Sequence, residues 1–387
     1  MNIGRKGMTM KRIIRSSIVL AVVALATGAL AQGFTAGNLV VYRMGGGTLE
    51  NAGVNPLSNT GSVVYLDEFT TNGVFVQSHM MPTNYFGGNS PLIDSGTAFG
   101  NGLITRSADG RFILVVGYGA TTNQFSHALG SAYGTEAPRV VATVDGNGYI
   151  NTETTLTNSL VNGSQLRSAC SVDGTNLYFS GDGVGGEGVC YTPRGGSGVA
   201  TNFPGMTNIR QLNIFSNHLY FSSASNGTNV FAVTNNVGGL TETMRTTNDL
   251  AVGDFGFGVT NSSSPWSFLM FKLHGGGADS LDTLYVTDSP TAPGTKLRVW
   301  KYSLSDGTWT GVGSITVNGA IGMTGQTRIT GTTTNVDLWL TGGGGTLTGN
   351  DAIYAVTDSS GYNGNPGGVQ GVIALGDQLP LYRKSVV

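Results

Sequence analysis

The sequence predicts an all-β chain of repeated small antiparallel sheets, and three observations carry that expectation. One apolar segment returns five times, as ILVVG from Ile113, LYFSG from Leu177, LYFSS from Leu219, LYVTD from Leu284 and LWLTG from Leu338. In the stretch Leu281–Val317, three strand-like runs follow one another: Leu284–Val286, Leu297–Leu304 and a third from Thr308. The turn Ser305-Asp306-Gly307 joins the last two, because glycine takes the positive φ that tight hairpins need. Composition is the third observation: 62 of 387 residues are Gly and only 11% are charged, against about 7% and about 25% in ordinary domains. Both faces of these strands carry apolar or aromatic side chains, so each sheet should be covered on both sides. Small antiparallel sheets stacked face to face describe a β-propeller.

The first 31 residues read as an export signal. Arg5, Lys6, Lys11, Arg12 and Arg15 form a basic n-region, Ile18–Leu30 an apolar core, and Ala29-Leu30-Ala31 a small-residue cleavage site that leaves Gln32 first. The apolar run is shorter than the ~20 residues a membrane span needs, so the mature chain, 32–387, is expected as one domain with no span. The segment holds five of the 20 basic residues and none of the 22 acidic ones, which leaves 15 against 22 and a net charge near −7. That balance excludes a nucleic-acid surface, which needs clustered Lys and Arg.

Residues 34–82 supply three strands, at Asn38–Arg43, Ser62–Phe69 and Val74–Met80. A first sheet that lacks a strand is what ring closure by both chain ends produces, and Val372–Leu375 and Leu381–Val386 are the C-terminal candidates. The second repeat runs through LITRSADGRFILVVGYGA, the third through LRSACSVDGTNLYFSGDG, and the fourth through IRQLNIFSNHLYFSSAS. The fifth starts near SPWSFLMFKL and the sixth reads QTRITGTTTNVDLWLTGG. Leu114, Leu177, Leu219, Leu284 and Leu338 lie 63, 42, 65 and 54 residues apart, which fits four-stranded blades of ~40–50 residues with variable loops. The expectation is six four-stranded antiparallel blades, or seven if a degenerate blade occupies Thr241–Phe257. A β-sandwich or a right-handed β-helix is the competing arrangement.

FTAGNLVVYRM, VVYLDEFT, LITRSADGRFILVVGY, RSACSVDGTNLYFSG and LYVTD…KYSLSDGTW together resemble a group of secreted bacterial β-propeller-like proteins. The resemblance covers nearly all of the mature chain. It implies a secreted propeller and brings no catalytic residues with it. The chain closes on LYRKSVV without an apolar helix before it, so release or non-covalent attachment at the cell surface or in the periplasm is expected.

Searches for chemistry return little. Cys170 and Cys190 fall on the first and third strands of one repeat, ~9–10 Å apart by twice the strand spacing, beyond disulfide reach; unbridged, buried thiols are expected. His79, His127, His218 and His274 sit in different repeats, and no metal or cofactor site is expected. The run Ser303–Trp309 is out of step with an Asp-box by one residue on each side of Asp306, and Asp145–Ile150 lacks the ligand spacing of a calcium loop. Asp67 and Glu68 are adjacent on a strand and face opposite ways.

One constellation remains. Arg106, Arg167, Arg210 and Arg328 each fall on the first strand of a repeat, 8 to 10 residues before the apolar second strand. First strands line a propeller's channel, so these guanidinium groups could ring one end of it and take an anionic small molecule or an acidic glycan. The competing expectation is that each folds sideways onto carbonyls of a neighbouring blade. The sequence thus points to a monomeric, secreted, non-enzymatic binding or cell-surface interaction module for an extracellular ligand. The alternative is an extracytoplasmic hydrolase or lyase acting on a polysaccharide at the channel mouth.

Overall fold

The computed structural model describes Met1 and residues 32–387 apart from 47–56, 99, 158–162, 164, 183–187, 198–200, 204–206, 217, 224–228, 234–264, 275–280, 289–297, 307, 318–319, 343–351, 368 and 376–381. Residues 2–31 of the expected export segment and the Thr241–Phe257 stretch therefore lie outside the described residues.

Short apolar runs closed by Gly, Asn and Asp turns fold as strands in chain order. The first sheet contains β1 (Leu39–Met44), β2 (Ser62–Phe69) and β3 (Phe75–Met80). The second contains β4 (Ile93–Asp94), β5 (Thr105–Arg106), β6 (Phe112–Tyr118), β7 (Arg139–Asp145), β8 (Ile150–Asn151) and β9 (Thr155–Leu156). The third has β10 (Leu166–Cys170), β11 (Asn176–Gly181), β12 (Val189–Pro193) and β13 (Thr201–Phe203). The fourth shows β14 (Ile209–Phe215), β15 (His218–Ser223) and β16 (Asn229–Val233) among the described residues. The fifth has β17 (Pro265–Phe271), β18 (Thr283–Asp288), β19 (Arg298–Ser305) and β20 (Thr308–Thr316). The sixth has β21 (Ala320–Thr330), β22 (Thr333–Gly342), β23 (Ala352–Asp358) and β24 (Val369–Leu375). The last strand, β25 (Tyr382–Val386), returns to the first sheet and pairs antiparallel with β1. Val40 and Val387 then exchange backbone hydrogen bonds at 3.0 Å, so both chain ends contribute to one sheet. Every named strand pair is antiparallel, and β4 bridges the first two sheets by pairing with β2 and β6.

The core explains why the strands are greasy on both faces. All eight residues of β2 and all six of β18 are buried. Apolar clusters lie between successive sheets. Val64 and Leu66 meet Val115 and Val140; Val116 and Val141 meet Leu166 and Phe179; Cys170 and Val189 meet Ile209 and Leu212. Tyr220 meets Phe268 and Leu284, and Leu269 and Tyr285 meet Met323 and Leu338. The last cluster packs Trp339 and Ile353 of the sixth sheet on Leu39, Val41 and Phe69 of the first. Among the described residues, six sheets joined face to face in this order form the β-propeller that the repeats predict. Each buried Leu, Val or Phe contributes about 1.5–3 kcal/mol, so the stability is spread over the interfaces between sheets. Cys170 and Cys190 are buried on opposite faces of the third sheet, in different clusters, and no disulfide joins them.

The inner strands depart from regular pairing at their starts. Arg210 and Gln211 together face Ser222, and Trp266 and Ser267 together face Thr287, each a β-bulge. The pairing also slips at Arg167 on β10 and at Ile321 on β21. A bulge leaves a backbone N–H without its ladder partner, and a hydroxyl across the strand takes it up here. Gln211 N donates to Ser222 Oγ at 3.1 Å, and Ser267 N donates to Thr287 Oγ1 at 2.8 Å. Each hydroxyl passes its own proton to the next sheet: Ser222 Oγ to Trp266 O at 2.6 Å, Thr287 Oγ1 to Ile321 O at 3.0 Å. Next to them, Leu212 N donates to Ser168 Oγ at 3.2 Å and Phe268 N to Gln211 Oε1 at 2.7 Å, again from one sheet to its neighbour. The Ser or Thr at the fourth place of LYFSS and LYVTD is therefore the bolt between blades.

Thr287→Val keeps the shape and deletes the relay, leaving Ser267 N and Ile321 O buried without it. It should lower unfolding stability by about 1–3 kcal/mol in urea denaturation, as should Ser222→Ala. Thr135→Val at an exposed position should stay within about 0.5 kcal/mol. Equal small losses at all three positions would contradict the relay.

Candidate functional site

All four arginines lie on the inner strands, and register divides them. Arg106 pairs across to Ile113 beside the turn into β6, and Arg328 pairs to Asn335 beside the β21–β22 turn. Arg167 and Arg210 sit at the bulged starts of β10 and β14, the ends remote from those turns. The two pairs thus face opposite ends of the ring. Arg106 Nε donates to Gly110 O at 3.0 Å, and Arg106 borders a cavity of about 240 Å³ with Phe34, Phe112 and Val387. Arg328 is half-exposed and grips Asp337 with two bonds, Nε to Oδ2 at 2.7 Å and Nη2 to Oδ1 at 3.0 Å. Both its carboxylate oxygens are engaged, so this pair is self-contained.

Arg167 and Arg210 are brought together. Asn208, held at a φ of 52°, presents Oδ1 to both: Arg167 Nη1 donates to it, and Arg210 Nε donates at 3.3 Å. Asparagine is one of the few residues other than glycine that adopts this backbone conformation at low cost. Arg167 Nη1 also reaches Ile209 O at 3.4 Å, and Nη2 lies 3.2 Å from Asp182 Oδ2. Arg210 lies flat on the indole of Trp266, its guanidinium carbon 3.6 Å from the ring centroid, an attractive arrangement worth ~0.5–2 kcal/mol. Arg167 is 6% exposed.

The charge balance at this point is unusual for the chain. Two other buried cations are matched to a carboxylate, Arg43 to Asp67 at 2.5 Å and Lys301 to Asp358 at 2.8 Å, and buried Arg139 is held by the Ala132 and Ala137 carbonyls and lies over the Tyr118 ring. At the Arg167–Arg210 pair, two guanidinium groups share one carboxylate, Asp182, whose side chain is 45% exposed. Two buried donor nitrogens, Arg167 Nε and Arg210 Nη1, have no hydrogen-bond partner among the described residues. Burial, and then the charge of Arg167, push the Arg210 pKa down to about 9, with Asp182 pulling the other way. Burial also lowers the Arg167 pKa, against the opposing pull of Asp182 and Tyr118. Unmatched positive charge with spare donors is the chemistry of an anion site.

The sequence pattern places the arginines on the right strands and does not bring Asn208, Asp182 or Trp266 beside them. The available signal was positional. Arg167, Arg210 and Trp266 hold equivalent places at the starts of three inner strands, and lining up LRSA, IRQL and PWSF would have brought the indole to the pair. Among the described residues, no group of three or more His, Cys, Asp or Glu is arranged to hold a metal ion.

No family model matches the sequence, and no curated protein matches it. Solved structures with a similar chain path include a Bacteroides fragilis protein provisionally assigned as a 6-phosphogluconolactonase. It is 13% identical over 87% of this chain and 83% of that one, with a TM-score of 0.48. A Lactobacillus plantarum protein is 10% identical over 86% and 83%, with a TM-score of 0.45. These likenesses carry no residue role or activity to this chain. The class defined by the fold is a β-propeller, and its function rests on its own side chains.

Because the folded Arg210 pKa lies below that of the unfolded chain, its charge costs stability throughout the pH range below about 9, and the cost is relieved only as pH rises above it. Arg210→Leu should therefore melt at or above the parent temperature at neutral pH and low ionic strength. A fall of more than about 3 °C, roughly 2 kcal/mol in a domain of this size, would contradict the reading.

Proposed function

We propose that this chain is a non-enzymatic propeller binding module that takes the carboxylate of an anionic ligand at the channel end carrying Arg167 and Arg210. The observation that carries the reading is the two-to-one ratio of guanidinium to carboxylate, with Arg167 Nε and Arg210 Nη1 buried and unsatisfied. A bound carboxylate would supply the missing charge and accept from both nitrogens, and it would raise the pKa of Arg210. Among the described residues, the groups bonded to the pair are Asn208, the Ile209 carbonyl and the ion-paired Asp182. Such groups hold a cation in place, which favours binding over turnover by a hydrolase or lyase.

The reading also places the module outside the cytoplasm, at the cell surface or released, on the strength of the segment from Arg5 to Ala31. No helix among the described residues is long and apolar enough to cross a membrane.

Calorimetric titration of the purified protein with a panel of carboxylates tests the proposal. At least one should bind one to one, and its affinity should fall with added salt. Arg167→Gln and Arg210→Gln should each weaken that binding about 10- to 100-fold, the worth of one charge-assisted hydrogen bond. Affinity unchanged in both variants would place the ligand elsewhere.

A further inference from the structure

The surroundings of the arginine pair narrow the ligand further. A cavity of about 340 Å³ lies nearby; neither arginine is among its lining residues, and two of its wall residues connect it to Arg167. Asp182 borders the cavity and holds Arg167. Gln165 borders it too, and its Oε1 lies 3.5 Å from the place a side chain at Gly100 would start. That same place is 3.3 Å from Arg167 Nε and 3.3 Å from the Trp266 ring edge. Glycine at 100 therefore leaves no side chain between the buried Arg167 Nε and the junction of guanidinium, indole and amide; a β-carbon there would press on the guanidinium and the ring.

The wall chemistry is polar and small. Ser95, Thr97 and Ser131 present hydroxyls, Gln165 an amide and Asp182 a carboxylate; the rest are alanines and glycines. Without a large apolar or aromatic side chain among these residues, the cavity offers nothing to an aryl or long aliphatic acid. Its volume is near the lower end for small-molecule sites, ~300–1,000 Å³, which suits a ligand about the size of one sugar ring. Asp182 in the wall repels a second negative charge and accepts hydrogen bonds from hydroxyls. Building on the carboxylate reading above, we infer that the ligand is a hydroxylated monocarboxylate, a sugar acid, whose carboxylate meets Arg167 and Arg210 and whose hydroxyls meet Gln165, Asp182 and the Ser/Thr wall.

Titrating the full exported protein with glucuronate, acetate, glucose, inorganic phosphate and a trigalacturonide separates the possibilities. Glucuronate should bind at least 10-fold tighter than acetate or phosphate, and glucose should not bind detectably. Gln165→Ala and Thr97→Ala should weaken glucuronate about 5- to 10-fold and leave acetate unchanged, with both variants folded by circular dichroism. Trigalacturonide binding as tightly as glucuronate marks a chain terminus as the source, and its exclusion marks the free acid; either result supports the assignment when accompanied by the acetate difference. Acetate or phosphate equal to glucuronate overturns the sugar-acid inference and leaves the carboxylate reading standing. No carboxylate binding at all overturns both.

Discussion

The bulged starts of the inner strands govern the structure. An inner strand has a full ladder partner on one side only, and the backbone groups of its other edge are costly if left buried and unpaired. The bulges at Arg210–Gln211 and Trp266–Ser267 add to that cost by freeing further N–H groups. The chain meets it with short side chains in place of charges: Ser222, Thr287, Ser168 and Gln211 each connect one sheet to the next. A single hydroxyl satisfies a donor in its own blade and an acceptor in the following one. Strand geometry, blade order and the direction of the bulged side chains are therefore set together.

The same bulges create the site. Doubling residues on the inner strand re-aims the side chains at its start, and in successive blades those side chains are Arg167, Arg210 and Trp266. Arg43–Asp67 and Lys301–Asp358 set a fully buried cation beside its carboxylate, and buried Arg139 has both of its terminal nitrogens bonded to carbonyls. A buried ion without a full complement of partners is costly. Two arginines with one half-exposed aspartate mark a place where stability has been given up, and such places tend to be functional.

Much of this was legible in the sequence. The LYFSG, LYFSS, LYVTD and LWLTG segments proved to be second strands, because burial on both faces leaves a run of apolar residues that needs no helix-like period. The Ser or Thr within them was visible as a recurrence, and its purpose was not, since the partner carbonyl belongs to another blade 44 residues on for Ser222. The arginines were placed on the correct strands. Which end of the channel each faces depends on register and on the bulges, and an extra residue moves a side chain without changing composition. Asn208 and Asp182 were illegible for a related reason: each lies just outside a strand, where no repeat pattern places it, and Asn208 takes a positive φ that only the tertiary structure fixes.

The most direct test is a double-mutant cycle on the stability of Arg167→Leu, Arg210→Leu and the pair, with and without a saturating carboxylate. The account predicts that without ligand the second replacement stabilises less than the first, because the two charges repel each other, and that ligand reverses the sign of this coupling. Effects that add to within about 0.5 kcal/mol in both conditions would mean that the two guanidinium groups do not share a site.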